Sequence, residues 1–89
     1  MFEIELKETA DLEMSEWKAS GDTAAMRRIS LLLADIAEHP ETGIGKPERL
    51  RGALTGCWSR RIGRRDRLVY RVNMTMMRVE VLSVKGHYR

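Results

Sequence analysis

The sequence predicts an α+β fold in one domain spanning residues 1–89: an N-terminal strand, a two-helix hairpin and a three-strand antiparallel meander, giving a four-stranded sheet with the helices on one face. Three observations predict it. Apolar residues alternate with acids at the N-terminus, in the period-two pattern of a half-buried strand. Between Glu8 and His39 they recur at helical spacing instead. From Trp58 onward, runs rich in Val, Ile, Tyr and Trp are joined by segments with no room for crossover helices, which leaves antiparallel pairing. A chain of 89 residues buries only somewhat over ~60% of its unfolded surface, enough for one modest core.

Each element has its own warrant. Phe2-Glu3-Ile4-Glu5-Leu6 is the first strand. Ala10, Met14 and Trp17 form a stripe on a helix over 8–19, which Ser20-Gly21-Asp22 interrupts. Asp22 or Thr23 caps a second helix, whose face carries Met26, Ile29, Leu32, Leu33 and Ile36 until His39-Pro40 stops it, with His39 at a helix end that favours a cation. The two glycines and proline of 41–47 read as an irregular connection that brings Lys46, Glu48, Arg49 and Arg51 to the surface. Strands follow over 58–62, 67–72 and 78–84, separated by Gly63 to Asp66 and Asn73 to Met77.

The longest apolar run, Leu31 to Ala34, is far too short to cross a bilayer, and acids from Glu3 onward contradict a signal peptide. A single cysteine, Cys57, makes no internal disulfide and suits a reducing compartment. The expectation is a cytoplasmic protein. Its net charge of +3 conceals an asymmetry: residues 1–44 hold ten acids and four bases, and residues 45–89 hold three acids and twelve bases, ten of them Arg. The planar guanidinium grips phosphate through two donors, so such a density of Arg points to a polyanion partner, most simply nucleic acid. A solvated sheet face or an acidic protein partner explains the same charge.

Several chemistries are excluded. Gly43-Ile44-Gly45-Lys46 lacks the P-loop spacing, and Pro47 follows where a Ser or Thr should stand. His39 and His87, the two imidazoles, have no carboxylates at ligand spacing, so neither a metal nor a cofactor is expected. Cys57 reads as a small buried hydrophobe, Trp17 as core, and the Met74, Met76 and Met77 group as core filler or a partner surface. What remains is Glu48, Arg61 and Arg67 with His87-Tyr88. RNA cleavage without metal needs a base for the 2′-hydroxyl proton, an acid for the departing 5′-oxygen and cations for the pentavalent phosphorus. These residue types fill those roles, although Glu48 also reads as a salt-bridge partner of Arg51 and His87-Tyr88 as a polar tail.

Gly45-Lys46-Pro47-Glu48-Arg49-Leu50, Leu54-Thr55-Gly56-Cys57-Trp58-Ser59-Arg60-Arg61-Ile62, Asp66-Arg67-Leu68-Val69-Tyr70-Arg71-Val72 and Lys85-Gly86-His87-Tyr88 resemble the YoeB/Txe toxins of the RelE-like superfamily. The resemblance covers most of 45–88; the N-terminal half matches only in pattern. It implies a microbial RNase-like fold and a metal-independent mRNA interferase that cuts mRNA in the A site of the 70S ribosome. It also implies silencing by an acidic YefM/Axe-like antitoxin encoded beside it, and it is compatible with a homodimer. By position, Glu48 resembles the general base, His87 the general acid, Arg67 the transition-state cation and Tyr88 the residue that orients the scissile nucleotide. Lys46, Arg51 and Arg61 fall where the family keeps basic residues against RNA. Arg65-Asp66 stands where members commonly have Glu-His, adding a cation at Arg65, and Arg89 extends the chain past Tyr88. The competing expectation is a basic domain that binds RNA, ribosome or antitoxin without cutting.

Overall fold

Residues 1–86 are described by the structure, a computed structural model. The elements run β1 (Glu3–Leu6), α1 (Glu8–Ser20), α2 (Thr23–Glu38), β2 (Glu48–Arg49), β3 (Trp58–Arg61), β4 (Arg67–Asn73) and β5 (Arg78–Ser83), with a single 3₁₀ turn over Gly52–Leu54. The expected meander of β3, β4 and β5 is present, and β1 lies parallel to β5, so the first strand of the chain pairs with the last. The strand count differs from the expected four. Glu48 and Arg49 pair antiparallel with Ser59 and Trp58, giving a five-stranded sheet in the order β1-β5-β4-β3-β2. A two-residue strand with two charged side chains and a preceding proline has no alternation to betray it. Its partner strand and the loop around it make it a strand.

The two helices form the expected hairpin. Gly21 takes the left-handed conformation (φ 71°) that ends α1, and the Asp22 carboxylate caps α2 by accepting the Ala25 N–H at 3.0 Å. The core lies between the helices and one sheet face. Ala10, Ile29, Leu32 and Ile36 meet Leu68, Tyr70, Val79 and Val81, all fully buried. Trp17 joins them, and its indole N–H donates to the Val84 carbonyl at 2.8 Å, which fixes α1 against the end of β5. The opposite sheet face carries a smaller apolar cluster of Leu50, Cys57 and Val69, flanked by Leu54 and Leu82. That cluster, with the Leu50 N–H donating to the Cys57 carbonyl at 2.9 Å, pins the segment after β2 down onto the sheet. Met74, Met76 and Met77 lie exposed in the β4–β5 hairpin rather than in the core. Among the described residues no helix is long and apolar enough to cross a membrane.

Candidate functional site

Strand register assembles the site. Glu48 stands opposite Ser59, and Arg61 opposite Arg67. Directly opposed residues share a sheet face, and so do residues two apart on one strand, so all four side chains belong to the face away from the helices. With Lys46 and Pro47 they line a cleft of about 160 Å³. Ser59, buried, forms part of its lining. The Arg67 guanidinium is steadied by carbonyls of the preceding turn, donating to Gly63 and Asp66 at 3.3 Å each. The Arg67 N–H in turn donates to the Gly86 carbonyl at 3.0 Å, while the Gly86 N–H donates to the Asp66 carboxylate at 2.6 Å. The end of the described chain is thereby tied to the start of β4, beside Arg67. His87 and Tyr88 lie outside the described residues.

The cleft is cationic: Lys46, Arg61 and Arg67 surround one carboxylate, Glu48. Like charges placed directly across a strand pair are destabilising, and Arg61 faces Arg67 in that way. An anion between the two guanidinium groups would relieve the repulsion. The other end of the same sheet face is neutralised. There Arg78 pairs with Glu3 at 3.1 Å, Lys7 with Glu5 at 3.6 Å, and Arg71 with Glu80, whose carboxyl the Arg71 hydrogen bond holds below its usual value. Lys85 pairs with Glu16 on α1 at 3.0 Å. Among the described residues, Lys46, Arg49, Arg51, Arg61, Arg64, Arg65 and Arg67 make no such ion pair. Of the described bases beyond residue 44, Arg60, Arg78 and Lys85 are met by acids of the first half and Arg71 by Glu80, so those left without an ion pair all fall between 46 and 67.

Two basic residues singled out in the sequence stand apart from the cleft. Arg51 lines a separate depression of about 560 Å³ with Arg49, Leu50, Cys57 and Trp58, where the Arg49 guanidinium lies 5.2 Å from the Trp58 ring centroid. Arg65 is exposed in the β3–β4 turn and does not line the cleft. Cys57 is buried, as expected of a small hydrophobe. Among the described residues there is no group of three or more His, Cys, Asp or Glu side chains placed to hold a metal ion.

One arginine counted with the surface cations is nothing of the kind. Arg60 is fully buried, and its five N–H donors meet five acceptors: the Tyr70 hydroxyl at 3.1 Å, the Asp35 carboxylate at 2.6 Å, and the carbonyls of Ile44, His39 and Thr42 at 2.9, 2.6 and 2.9 Å. The Tyr70 hydroxyl in turn donates to the Pro40 carbonyl at 2.6 Å. The hydrogen bond from Arg60 holds the Asp35 carboxyl below its usual value, aided by the Ile44 N–H, and burial pushes the Tyr70 phenol up. A signal for this was present in the sequence. Trp58, Arg60 and Ile62 are in phase on a period-two strand, so Arg60 shares the core-facing register while Ser59 and Arg61 take the other.

Comparison with known proteins agrees with this architecture. The family model described as the YoeB-like toxin of bacterial type II toxin-antitoxin system matches residues 7–88. A toxin YoeB of Streptomyces coelicolor is 44% identical over 70 residues, covering 79% of this chain and 81% of that one. Among solved structures, a YoeB/ParE toxin from Agrobacterium tumefaciens superposes with a TM-score of 0.91 at 32% identity, over 98% of this chain and 100% of that one. The heterotetrameric complex of YoeB-YefM toxin-antitoxin from Staphylococcus aureus contains a chain similar at TM-score 0.84 and 34% identity, with 99% of each covered.

Proposed function

The chain belongs to the YoeB-like toxins of bacterial type II toxin-antitoxin systems, and from that premise we propose that it is a metal-independent endoribonuclease that cuts mRNA in the ribosomal A site and so stops translation. The observation that carries the reading is the cleft, in which one carboxylate, Glu48, stands among Lys46, Arg61 and Arg67. In this reading Glu48 takes the proton of a ribose 2′-hydroxyl as the 2′-oxygen attacks phosphorus. The bond from phosphorus to the 5′-oxygen then breaks, and His87 supplies the proton to that oxygen. A 2′,3′-cyclic phosphate and a free 5′-hydroxyl result, with no co-reactant. Arg67 stabilises the added charge on the phosphorane, Arg61 and Lys46 bind the backbone, and Tyr88 orients the scissile nucleotide.

Magnitudes favour a helper scaffold. Each proton transfer is worth only about 10²–10⁴-fold. The larger contribution, ~10⁵–10⁸ M in effective concentration, comes from holding the 2′-oxygen in line with the phosphorus. A cleft of about 160 Å³ contacts little more than the reacting linkage. Alignment of a flexible RNA then falls to the 70S ribosome, and free RNA is cut slowly or not at all. The same cationic surface suits an acidic YefM-like antitoxin, in keeping with the assembly of the Staphylococcus aureus relative.

Primer extension on translated mRNA, with and without the protein, tests the reading. The parent should give new 5′ ends within codons, and a Glu48→Ala, His87→Gln protein should give none while still folding. Equal inhibition of translation by both proteins, with no new ends from either, would replace the nuclease with a basic domain that blocks the ribosome by binding.

A further inference from the structure

We infer that Arg60 is a positioning residue for the cleft: its buried guanidinium, with Asp35 and Tyr70, holds the 39–47 loop in the shape that sets Lys46 and Glu48 against Arg67. The inference rests on the function proposed above and concerns the same site.

The problem the fold must solve is local. Glu48 belongs to a strand of only two residues, and so short a pairing is a weak hold on the backbone that carries it, where in-line chemistry demands placement within a fraction of an ångström. Downstream, the Leu50 and Cys57 cluster anchors the strand. Upstream there is no helix or sheet between Glu38 and Glu48, only a loop. Arg60 gathers that loop from beneath by taking the carbonyls of His39, Thr42 and Ile44, while its Tyr70 partner takes Pro40. Asp35 closes the arrangement, accepting from both Arg60 and the Ile44 N–H at 3.1 Å. Arg60 thus holds the loop with its side chain, and the next residue holds it with its backbone, since the Arg61 N–H donates to the Gly45 carbonyl at 2.7 Å.

The glycines show how tight the seat is. A Cβ on Gly43 would stand 1.9 Å from the nearer Asp35 carboxylate oxygen, and one on Gly45 would stand 2.7 Å from a Leu32 methyl. The segment that resembles a failed phosphate loop is therefore glycine-rich because the chain passes directly over Asp35 and Leu32. The loop then leaves this seat through Lys46, a non-glycine residue held in the left-handed region at φ 53°. Such a conformation persists where its surroundings over-determine it, and it occurs at sites where a side chain must be aimed.

The test uses the full-length protein and two variants that spare the cleft side chains. Asp35→Asn weakens the grip on Arg60 from the helix side, and Gly43→Ala drives a methyl into Asp35 from the loop side. Amide hydrogen exchange is followed at Arg61, whose N–H reports the Gly45 contact, and at Tyr70 and Val81 in the central strands. Both variants should raise exchange at Arg61 by about tenfold or more beyond any rise at the central amides, which follow only the loss of overall stability. On programmed ribosomes, where the ribosome and not the cleft holds the mRNA, both should lower kcat by roughly tenfold with little change in KM. Exchange that rises equally throughout would reduce Arg60 to a stabiliser of the whole fold, and a loosened Arg61 amide with unchanged kcat would show that loop shape does not govern the chemistry; either result overturns the inference. A parent that cuts nothing would overturn the proposed nuclease instead. Binding of a 2′-O-methyl RNA oligonucleotide, read from the Arg67 amide shift, then decides: Asp35→Asn should bind about tenfold more weakly, and equal affinity would overturn the positioning role.

Discussion

Arg60 and Arg61 are neighbours on β3 with the same side chain, and they belong to different parts of the molecule. Arg60 faces the helices, where its five donors are saturated by protein and nothing is left over for a ligand. Arg61 faces the open cleft across from Arg67, where no carboxylate among the described residues pairs with it. A count of arginines treats the two alike. Strand alternation separates them, and their difference teaches that the cationic character of this chain serves two ends: a buried cation organises the loop, and exposed cations wait for an anion.

The comparison yields its largest expected effect at the cleft. Arg67→Ala should lower cleavage by about 10²-fold or more, with the thermal midpoint close to that of the parent, because Arg67 gives up only two long hydrogen bonds to turn carbonyls. Cleavage rates and melting curves measured on the same preparation check both halves. Arg60→Ala should reverse the pattern. Removing its buried guanidinium leaves the His39, Thr42 and Ile44 carbonyls and the Tyr70 hydroxyl without that donor, at about 1–3 kcal/mol for each group left unsatisfied, and for a domain of this size each kcal/mol lowers the midpoint by roughly 4–8 °C. An Arg60→Ala protein that melts with the parent would erase the distinction between the two arginines.

Arg61→Ala should leave stability within about 0.5 kcal/mol and instead reduce the salt dependence of RNA binding by about one phosphate contact, as a titration over several salt concentrations would show. The smallest effect concerns acid. Asp35 has a lowered carboxyl pKa in the folded protein, relative to its ordinary 3.8, because Arg60 and the Ile44 N–H hydrogen-bond to the ionised form. The unfolded chain therefore takes up that proton first. The stabilisation is complete above the ordinary value and fades as pH falls through the folded one. Asp35→Asn should flatten this part of the acid-unfolding curve, and an unchanged curve would mean that the Asp35 charge contributes nothing to the fold.

Much of this was legible in the sequence. Alternation gave the strands, the Asp22 and Gly21 signals gave the helix ends, and the quoted motifs implied a site of Glu48, Arg67, His87 and Tyr88 with Lys46, Arg51, Arg61 and Arg65, of which the register of β2, β3 and β4 brings Lys46, Glu48, Arg61 and Arg67 into one cleft. Other parts were not legible, for physical reasons. The strand pairing of Glu48 and Arg49 has no pattern of its own. Arg51, three residues after Glu48, leaves the cleft because the chain turns down toward Leu54 and Cys57. Alternation places Arg60 on the core side, but its acceptors were not legible, since a guanidinium is seldom fully buried unless every donor is met and they come from a loop whose course no local pattern specifies. The charge excess misled in the same way, because ion pairs such as Arg78 with Glu3 join residues from opposite ends of the chain.

The parallel pairing of β1 with β5 has a bearing on synthesis. A nascent chain that has not yet delivered Arg78 has no sheet neighbour for its first strand and no strand beside Tyr70 on the β5 side, so the sheet closes only once the last strand has been made.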